Sequence, residues 1–189
     1  PWVTWRRTAR GGAWALSAFA TVVAGWMLMW AFGVGSVGNL MASGKLAKNE
    51  PILIADFTSP ATDTSLGTTV TEALRTDIAQ SKSIVPVAAT AVREMLRRSQ
   101  RPPNARVDFA LARELATREG IKAVLDGDVR AAGGKFMLSA RLVETQTGDV
   151  LAAFRETADG LDDVIKGTDR LSKAIREKLG ESLRSVRAA

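Results

Sequence analysis

An apolar run near the N-terminus, Ala13 to Phe32, constrains the fold of this chain more than any other feature. It reads AWALSAFATVVAGWMLMWAF and contains no charged residue. About twenty residues at about 1.5 Å rise per residue cover the roughly 30 Å hydrocarbon core of a bilayer. The run therefore predicts a single transmembrane helix over residues 13–32, and the rest of the chain must fold outside the bilayer.

The residues on either side of this run predict its orientation and depth. Residues 1–12 are basic, whereas the far side offers only Lys45 and Lys48 beside Glu50. Positive charge is retained on the cytoplasmic side of a span. We therefore expect a protein of the bacterial inner membrane with a cytoplasmic N-terminus and a periplasmic C-terminal part. The residues expected at the two surfaces of the lipid bilayer are Trp2, Trp5, Arg6, Arg7, Arg10, Trp26 and Trp30.

A cleaved signal peptide is the competing interpretation of the same run. The apolar region of a signal peptide usually has roughly 7–15 residues and ends at an A-x-A site, so the length and the missing site favour a retained anchor. Ser17, Thr21 and Gly25 recur at every fourth position within it. Such small residues form a stripe on which another helix can pack closely, although plain exposure to lipid explains them equally well.

Residues 33–50 predict a juxtamembrane linker. Gly33-Val-Gly-Ser-Val-Gly38 matches the G-x-G-x-x-G pattern of dinucleotide sites. That motif requires a strand before the glycines and a helix after them, and here a membrane helix precedes them. We interpret the segment as a flexible connector and expect no cofactor.

The composition excludes several classes of chemistry. The chain has neither Cys nor His, so a Ser-His-Asp or Cys-His triad, a thiolate or imidazole zinc site and c-type haem attachment are impossible. The 26 basic and 20 acidic residues give only a mild positive balance, and no aromatic platform accompanies it, so we expect no nucleic-acid partner. We expect neither an enzyme nor a metal site.

Hydrophobic periodicity predicts one α+β domain over residues 51–189, with the order β-α-β-α-α-β-β-β-α and a mixed sheet. The predicted strands are 51–57, 84–87, 121–129, 135–144 and 150–157, and the predicted helices are 64–80, 88–98, 108–119 and 161–186. Glycines at 133, 134 and 148 mark tight turns, so the last three strands form an antiparallel meander. The apolar residues expected to be buried by the last helix are Leu161, Ile165, Leu171, Ile175 and Leu179.

Four stretches carry a resemblance to a known family. They are Ile52-Leu-Ile-Ala-Asp-Phe57, Ala112-Arg-Glu-Leu-Ala116, Gly120-Ile-Lys-Ala-Val-Leu-Asp-Gly-Asp-Val-Arg130 and Ala140-Arg-Leu-Val-Glu-Thr-Gln-Thr-Gly-Asp149. Together they resemble the TolB amino-terminal-like domain, which follows the membrane span of some bacterial Ser/Thr kinases, adenylate cyclases and transcriptional regulators. The resemblance implies a periplasmic, non-enzymatic interaction or sensing domain. The family's usual Leu-Trp after the second hairpin turn is here Leu151-Ala152.

Two acidic pairs and one basic cluster are the candidate sites of the domain. Asp126 and Asp128 lie on one face of a strand, and a structural role is preferred to a metal site because two acids alone do not bind a hard cation. Asp162-Asp163 suits the first turn of a helix. The candidate partner-binding residues are Arg97, Arg98, Arg101 and Arg106. They could meet anionic headgroups, an envelope polymer or an acidic protein, and an ordinary solvated loop is the alternative.

Three functions from different classes remain, and the missing catalytic residue types make an enzyme the weakest of them. The first is an accessory or scaffold subunit that binds the membrane protein subunits of a larger respiratory or photosynthetic complex. The second is an extracytoplasmic input module of a signalling system. Because no kinase, DNA-binding or tetratricopeptide segment accompanies the domain in this sequence, we favour the first.

Overall fold

The computed structural model describes residues 40, 46, 49–60, 63–81 and 83–180. The chain divides into two compact units, Pro1–Val37 and Gly38–Ala189. The first unit lies outside the described residues, and so do the predicted transmembrane helix, its basic flank, its small-residue stripe and its tryptophans. Within the described part of the chain, no helix combines the length and the apolar character that crossing a membrane requires.

A five-stranded mixed sheet with the order β2-β1-β3-β4-β5 forms the centre of the domain. The strands are β1 (Pro51–Ile54), β2 (Val85–Pro86), β3 (Ala123–Ala132), β4 (Lys135–Glu144) and β5 (Val150–Ala158). Strand β1 is parallel to β2 and β3, whereas β3, β4 and β5 are antiparallel neighbours. Gly133 and Gly134 both have positive φ, as a two-residue hairpin turn requires. The predicted meander is confirmed.

Four helices pack against this sheet. They are α1 (Leu66–Ala79), α2 (Ala89–Arg98), α3 (Phe109–Arg118) and α4 (Val164–Lys178), with a 3-10 turn (Leu161–Asp163) before the last. The Asp108 carboxylate caps α3 by accepting a hydrogen bond from the Leu111 N–H at 2.9 Å. The predicted α+β class and the order of strands and helices are confirmed.

The helices lie on both faces of the sheet. The connection from β1 to β2 lies on one face, and the connection from β2 to β3 lies on the other. Helices α1 and α4 cover one face, where Leu74, Leu171 and Ile175 pack against Leu138 and other strand residues. Helices α2 and α3 cover the other face only beside β1 and the start of β3. The antiparallel half of the sheet is therefore buried on one face and largely uncovered on the other.

Strand β1 is shorter than the predicted strand of residues 51–57. It ends at Ile54, because the backbone N–H of Asp56 donates to the Val107 carbonyl at 2.8 Å instead of to a neighbouring strand. Phe57 then turns into the core and is only 2% exposed. Strand β2, which contains Pro86, lies at an edge of the sheet, where the missing proline N–H is tolerated.

The predicted buried face of the last helix is wrong in its first turns. Leu161 and Ile165 are 55% and 48% exposed, whereas Val164 is buried. The 3-10 turn delays the start of α4 to Val164 and so rotates the buried face by one residue. Leu171, Ile175 and Leu179 are buried as predicted, and residues 181–189 lie outside the described part.

Two described residues of the predicted linker belong to the domain core. Leu40 and Leu46 are 5% and 4% exposed, and the Leu40 N–H donates to the Lys178 carbonyl at 3.2 Å. Most of residues 33–50 lies outside the described residues, so the linker stays a prediction there.

Candidate functional site

The uncovered side of the meander carries a set of polar residues, which we call the open face. Its members share the sheet surface that points away from α1 and α4, and they are Asp126, Asp128, Arg130, Ser139, Arg141 and Arg155. Side chains alternate between the two faces of a strand, so each of these residues is the neighbour of a residue in the core. Antiparallel sheets commonly leave one face to water, which makes solvation the simplest use of this surface.

Ion pairs fix four of these side chains in place. Asp126 lies opposite Arg141 in the register of β3 and β4, and its Oδ2 is 2.8 Å from Arg141 Nη2. The Arg141 guanidinium also lies 4.8 Å from the centroid of the Phe109 ring. Asp128 pairs with Arg130, at 2.9 Å between Oδ1 and Nε. Exposed pairs of this kind contribute little to stability, so their main effect is to orient the charges.

Arg155 differs from the other two arginines of the open face. It is exposed and lies opposite Ser139, which in turn lies opposite Asp128. In the part of the chain that the structure describes, no ion pair or hydrogen bond engages its side chain. Among the described residues, Arg155 is therefore the arginine of the open face whose charge no carboxylate compensates.

The position between Asp126 and Asp128 has no room for a side chain, which explains the glycine at residue 127. A Cβ at this position would overlap both the ring of Phe57 and the carbonyl oxygen of Ser139. The missing side chain at Gly127 therefore allows Phe57 to fill the core directly beneath the open face.

A cleft of about 840 Å³ adjoins the open face where β1 ends. Its walls come from the loop after β1, including Thr58, from the start of α3 at Phe109, and from Asp126 and Asp128. The connections from β1 and from β2 leave on opposite faces of the sheet, so this position is a topological switch point. Ligands of open α/β sheets bind at such points, beyond the carboxyl ends of the strands.

Three of the four predicted partner-binding arginines contact different neighbours within the domain. Arg97 pairs with Glu94 within α2, and Arg98 Nη2 lies 3.1 Å from Glu119 Oε1. Arg106 donates to the Phe57 carbonyl at 3.1 Å and so braces the loop after β1. Arg101 is exposed in the connection between α2 and α3.

Hydrogen bonds shift the pKa values of Lys135, Asp159 and Asp63, which lie outside the open face. The Lys135 ammonium donates a hydrogen bond to Asp159 across 2.7 Å, which lowers the pKa of the Asp159 carboxyl and raises the pKa of Lys135. Earlier in the chain, before α1, hydrogen bonds from the Ser65 hydroxyl and N–H lower the pKa of Asp63. Asp163, of the second predicted acidic pair, lies 3.4 Å from Arg170 Nη2.

Sequence reasoning named Asp126, Asp128 and the arginines of residues 97–106 but did not select Arg141 or Arg155. The signal that could have found them is alternation, because Ser139 and Arg141 interrupt the apolar positions of β4 and Arg155 follows the same rule on β5. The pairing of β4 with β5 then places these side chains on one surface.

These features define an α+β domain whose sheet is buried on one side and polar on the other. The family model described as FlgO protein matches residues 37–159, more than half of the chain. The chain therefore belongs to the FlgO protein family. No curated protein sequence matches it.

Solved structures of similar fold come from bacterial proteins of low sequence identity. The LpoB C-terminal domain from Escherichia coli is 17% identical, with a TM-score of 0.54 over 69% of this chain and 92% of that chain. The same domain from Salmonella enterica is 17% identical, with a TM-score of 0.52 over 63% of this chain and 88% of that chain. These likenesses show the fold alone.

The resemblance expected from sequence was to the TolB amino-terminal-like domain, whereas the family shown is FlgO. TolB from Acinetobacter baumannii is similar with a TM-score of 0.48 and 16% identity, over 71% of this chain and 30% of that chain. The kinase and cyclase setting stays a prediction.

Proposed function

We propose that this protein is a non-enzymatic accessory protein of the bacterial cell envelope, and that it acts by binding another protein through the open face. In this proposal, residues 13–32 anchor the chain in the inner membrane and the described domain lies in the periplasm. The observation that carries the proposal is the open face itself, a charged sheet surface that α2 and α3 leave uncovered.

The arrangement of charges on this face suits recognition better than solvation alone. Ion pairs hold Arg130 and Arg141 in set orientations, so little side-chain entropy is lost when a partner binds. Arg155 supplies a charge that a partner carboxylate can compensate. Complementary charges contribute chiefly to specificity and to the rate of association. The proposed partner is a membrane protein subunit of a larger complex that presents acidic groups.

We assign Arg97 and Arg98 at most a secondary role in partner binding. Arg97 and Arg98 are paired with glutamates, so an anionic lipid headgroup or envelope polymer would have to compete with those carboxylates. Arg101 is the member of the cluster best placed to meet such a polymer, because it is exposed and its side chain forms no ion pair or hydrogen bond with another described residue.

An extracytoplasmic input module of a signalling system is the second candidate function. The cleft at the switch point favours it, since about 840 Å³ is enough for a small polar ligand. The two functions differ in what occupies the domain: a protein surface on the open face, or a small molecule beside Phe109.

Site-specific photo-crosslinking in living cells tests the first proposal. A photoreactive phenylalanine analogue replaces Ser139 on the open face in the full chain, which leaves Arg155 in place, and a matched variant carries it at Lys173, which is exposed on α4. We expect a discrete crosslinked protein from the open-face position and none from the control. Equal crosslinking at both positions, or at neither, contradicts the proposal.

A further inference from the structure

The two edges of the sheet are protected to very different degrees. Strand β2 has two residues, one of which is Pro86, and a short strand with proline resists pairing with another chain. Strand β5 has nine residues and no proline. Only β4 pairs with it in the described part of the chain, so no described strand occupies its outer edge.

The direction of the free backbone groups follows from the tight turn between β3 and β4. Ala132 and Lys135 flank this two-residue turn and form a hydrogen-bonded pair, and bonded positions then alternate across the sheet. Residues 136, 138, 140 and 142 consequently direct their backbone groups to β5. On β5 this leaves the N–H and C=O groups of Ala153, Arg155 and Thr157 directed to the outer edge.

One end of this edge is already occupied. Arg170 of α4 donates from Nη2 to the Thr157 carbonyl at 2.7 Å, and its Nε lies 3.3 Å from Glu156 Oε2. The guanidinium therefore obstructs pairing beyond Glu156. The accessible part of the edge is the segment from Val150 to Arg155.

The side chains beside the accessible edge differ between the two faces of the sheet. On the open face lies Arg155, which is exposed and forms no ion pair with another described residue. On the helix side, Ala152 and Phe154 are partly buried against the core, so their remaining surface is apolar. A strand added here would place alternate side chains beside a cation and beside this apolar surface.

We propose that the outer edge of β5 binds a short extended segment of a partner protein, in which acidic and apolar side chains alternate over about five residues. Main-chain hydrogen bonds to Ala153 and Arg155 supply the attachment. The carboxylates compensate Arg155, and the apolar side chains cover Phe154. This inference rests on the proposed function and specifies how the partner is held.

A second copy of this chain fits the edge less well. An antiparallel pair of β5 strands centred on Arg155 sets two guanidinium groups directly opposite each other, which is destabilising. A pair centred on Phe154 leaves the two Arg155 side chains roughly 7–8 Å apart on one face. The open-face residues that β5 itself contributes include no acid to compensate them.

Amide NMR on the full chain in detergent tests this directly. The probes are two capped six-residue peptides, one alternating Val and Asp and one alternating Val and Lys. We expect the Val-Asp peptide to slow hydrogen exchange of the Ala153 and Arg155 amides, and the Val-Lys peptide to bind at least tenfold more weakly. Arg155→Glu should reverse this preference, whereas Lys173→Glu, the same charge change on α4, should leave it intact.

Three results would overturn the inference: no binding of the Val-Asp peptide below about 1 mM, binding without protection of the two amides, or protection that appears without peptide as the chain self-associates. Ala153→Pro removes an outward N–H and should abolish protection at Arg155 while amide dispersion elsewhere is retained. Crosslinking from position 139 in cells with no protection of the edge amides would leave the proposed function standing and refute strand addition alone.

Discussion

The Asp56 carboxylate accepts a hydrogen bond from the backbone N–H of Val107 at 2.7 Å, and the Asp56 N–H donates to the Val107 carbonyl at 2.8 Å. This reciprocal pair joins the loop after β1 to the connection before α3. The loop nevertheless stays attached to β3, because the Thr58 N–H donates to the Gly127 carbonyl at 3.0 Å, and Phe57 between these two anchor points is buried in the core.

Asp56→Ala should lower the free energy of unfolding by about 1–3 kcal/mol, because the partly buried backbone N–H of Val107 loses its acceptor. Asp56→Asn should cost less, since an amide oxygen can still accept that bond. Urea denaturation measures both. Asp149→Ala, at an exposed turn residue, is the matched control and should change stability by less than about 0.5 kcal/mol.

Gly127→Ala should destabilise the domain by about 1–3 kcal/mol, because the added methyl overlaps Phe57 and the Ser139 carbonyl. Reducing the ring with Phe57→Leu removes one of the two clashes. In a double-mutant cycle, the Gly127→Ala substitution should therefore cost less in the Phe57→Leu background than in the native chain. Strict additivity would show that the two residues do not oppose each other.

The amino-acid sequence predicted the order of the strands and helices because each has a clear hydrophobic period. It misplaced the buried face of α4, since Leu161 and Ile165 match a helical spacing that the 3-10 turn interrupts. It did not reveal the open face, because Arg141 and Arg155 are brought together only by strand pairing. Periodicity reports which residues are buried along one element, whereas a surface built from three strands depends on their register.

The exposure of Leu161 and Ile165 can be checked by substituting each side chain with alanine. Leu161→Ala or Ile165→Ala should change the free energy of unfolding by less than about 1 kcal/mol, since little apolar surface is lost from the core. Leu171→Ala, in the same helix but fully buried, should cost about 2–5 kcal/mol. Equal losses of unfolding free energy at all three positions would show that Leu161 and Ile165 are buried, as the sequence predicted.

The proposed topology places the described domain in the periplasm. Because the chain has no cysteine, Ser99→Cys introduces a single thiol at the end of α2. Intact cells should label it with a membrane-impermeant thiol reagent, since the basic N-terminal flank is expected to stay inside. Labelling that appears only after the inner membrane is broken would reverse the orientation. A cysteine at Thr8, in the flank, should show the opposite pattern and serves as the control.

The last prediction is that the anchor and the domain bind one complex together. If the stripe of Ser17, Thr21 and Gly25 packs on a neighbouring helix while the domain contacts the same complex, the second contact becomes intramolecular, and two weak contacts give a tight association. Releasing the domain by removing residues 1–37 should weaken association by roughly a hundredfold or more, as measured by co-purification in mild detergent. Thr21→Leu with Gly25→Leu should weaken it less, by obstructing close approach of the helices, and Val22→Leu off the stripe should leave it unchanged. A released domain that binds as tightly as the full chain would reduce the helix to a tether.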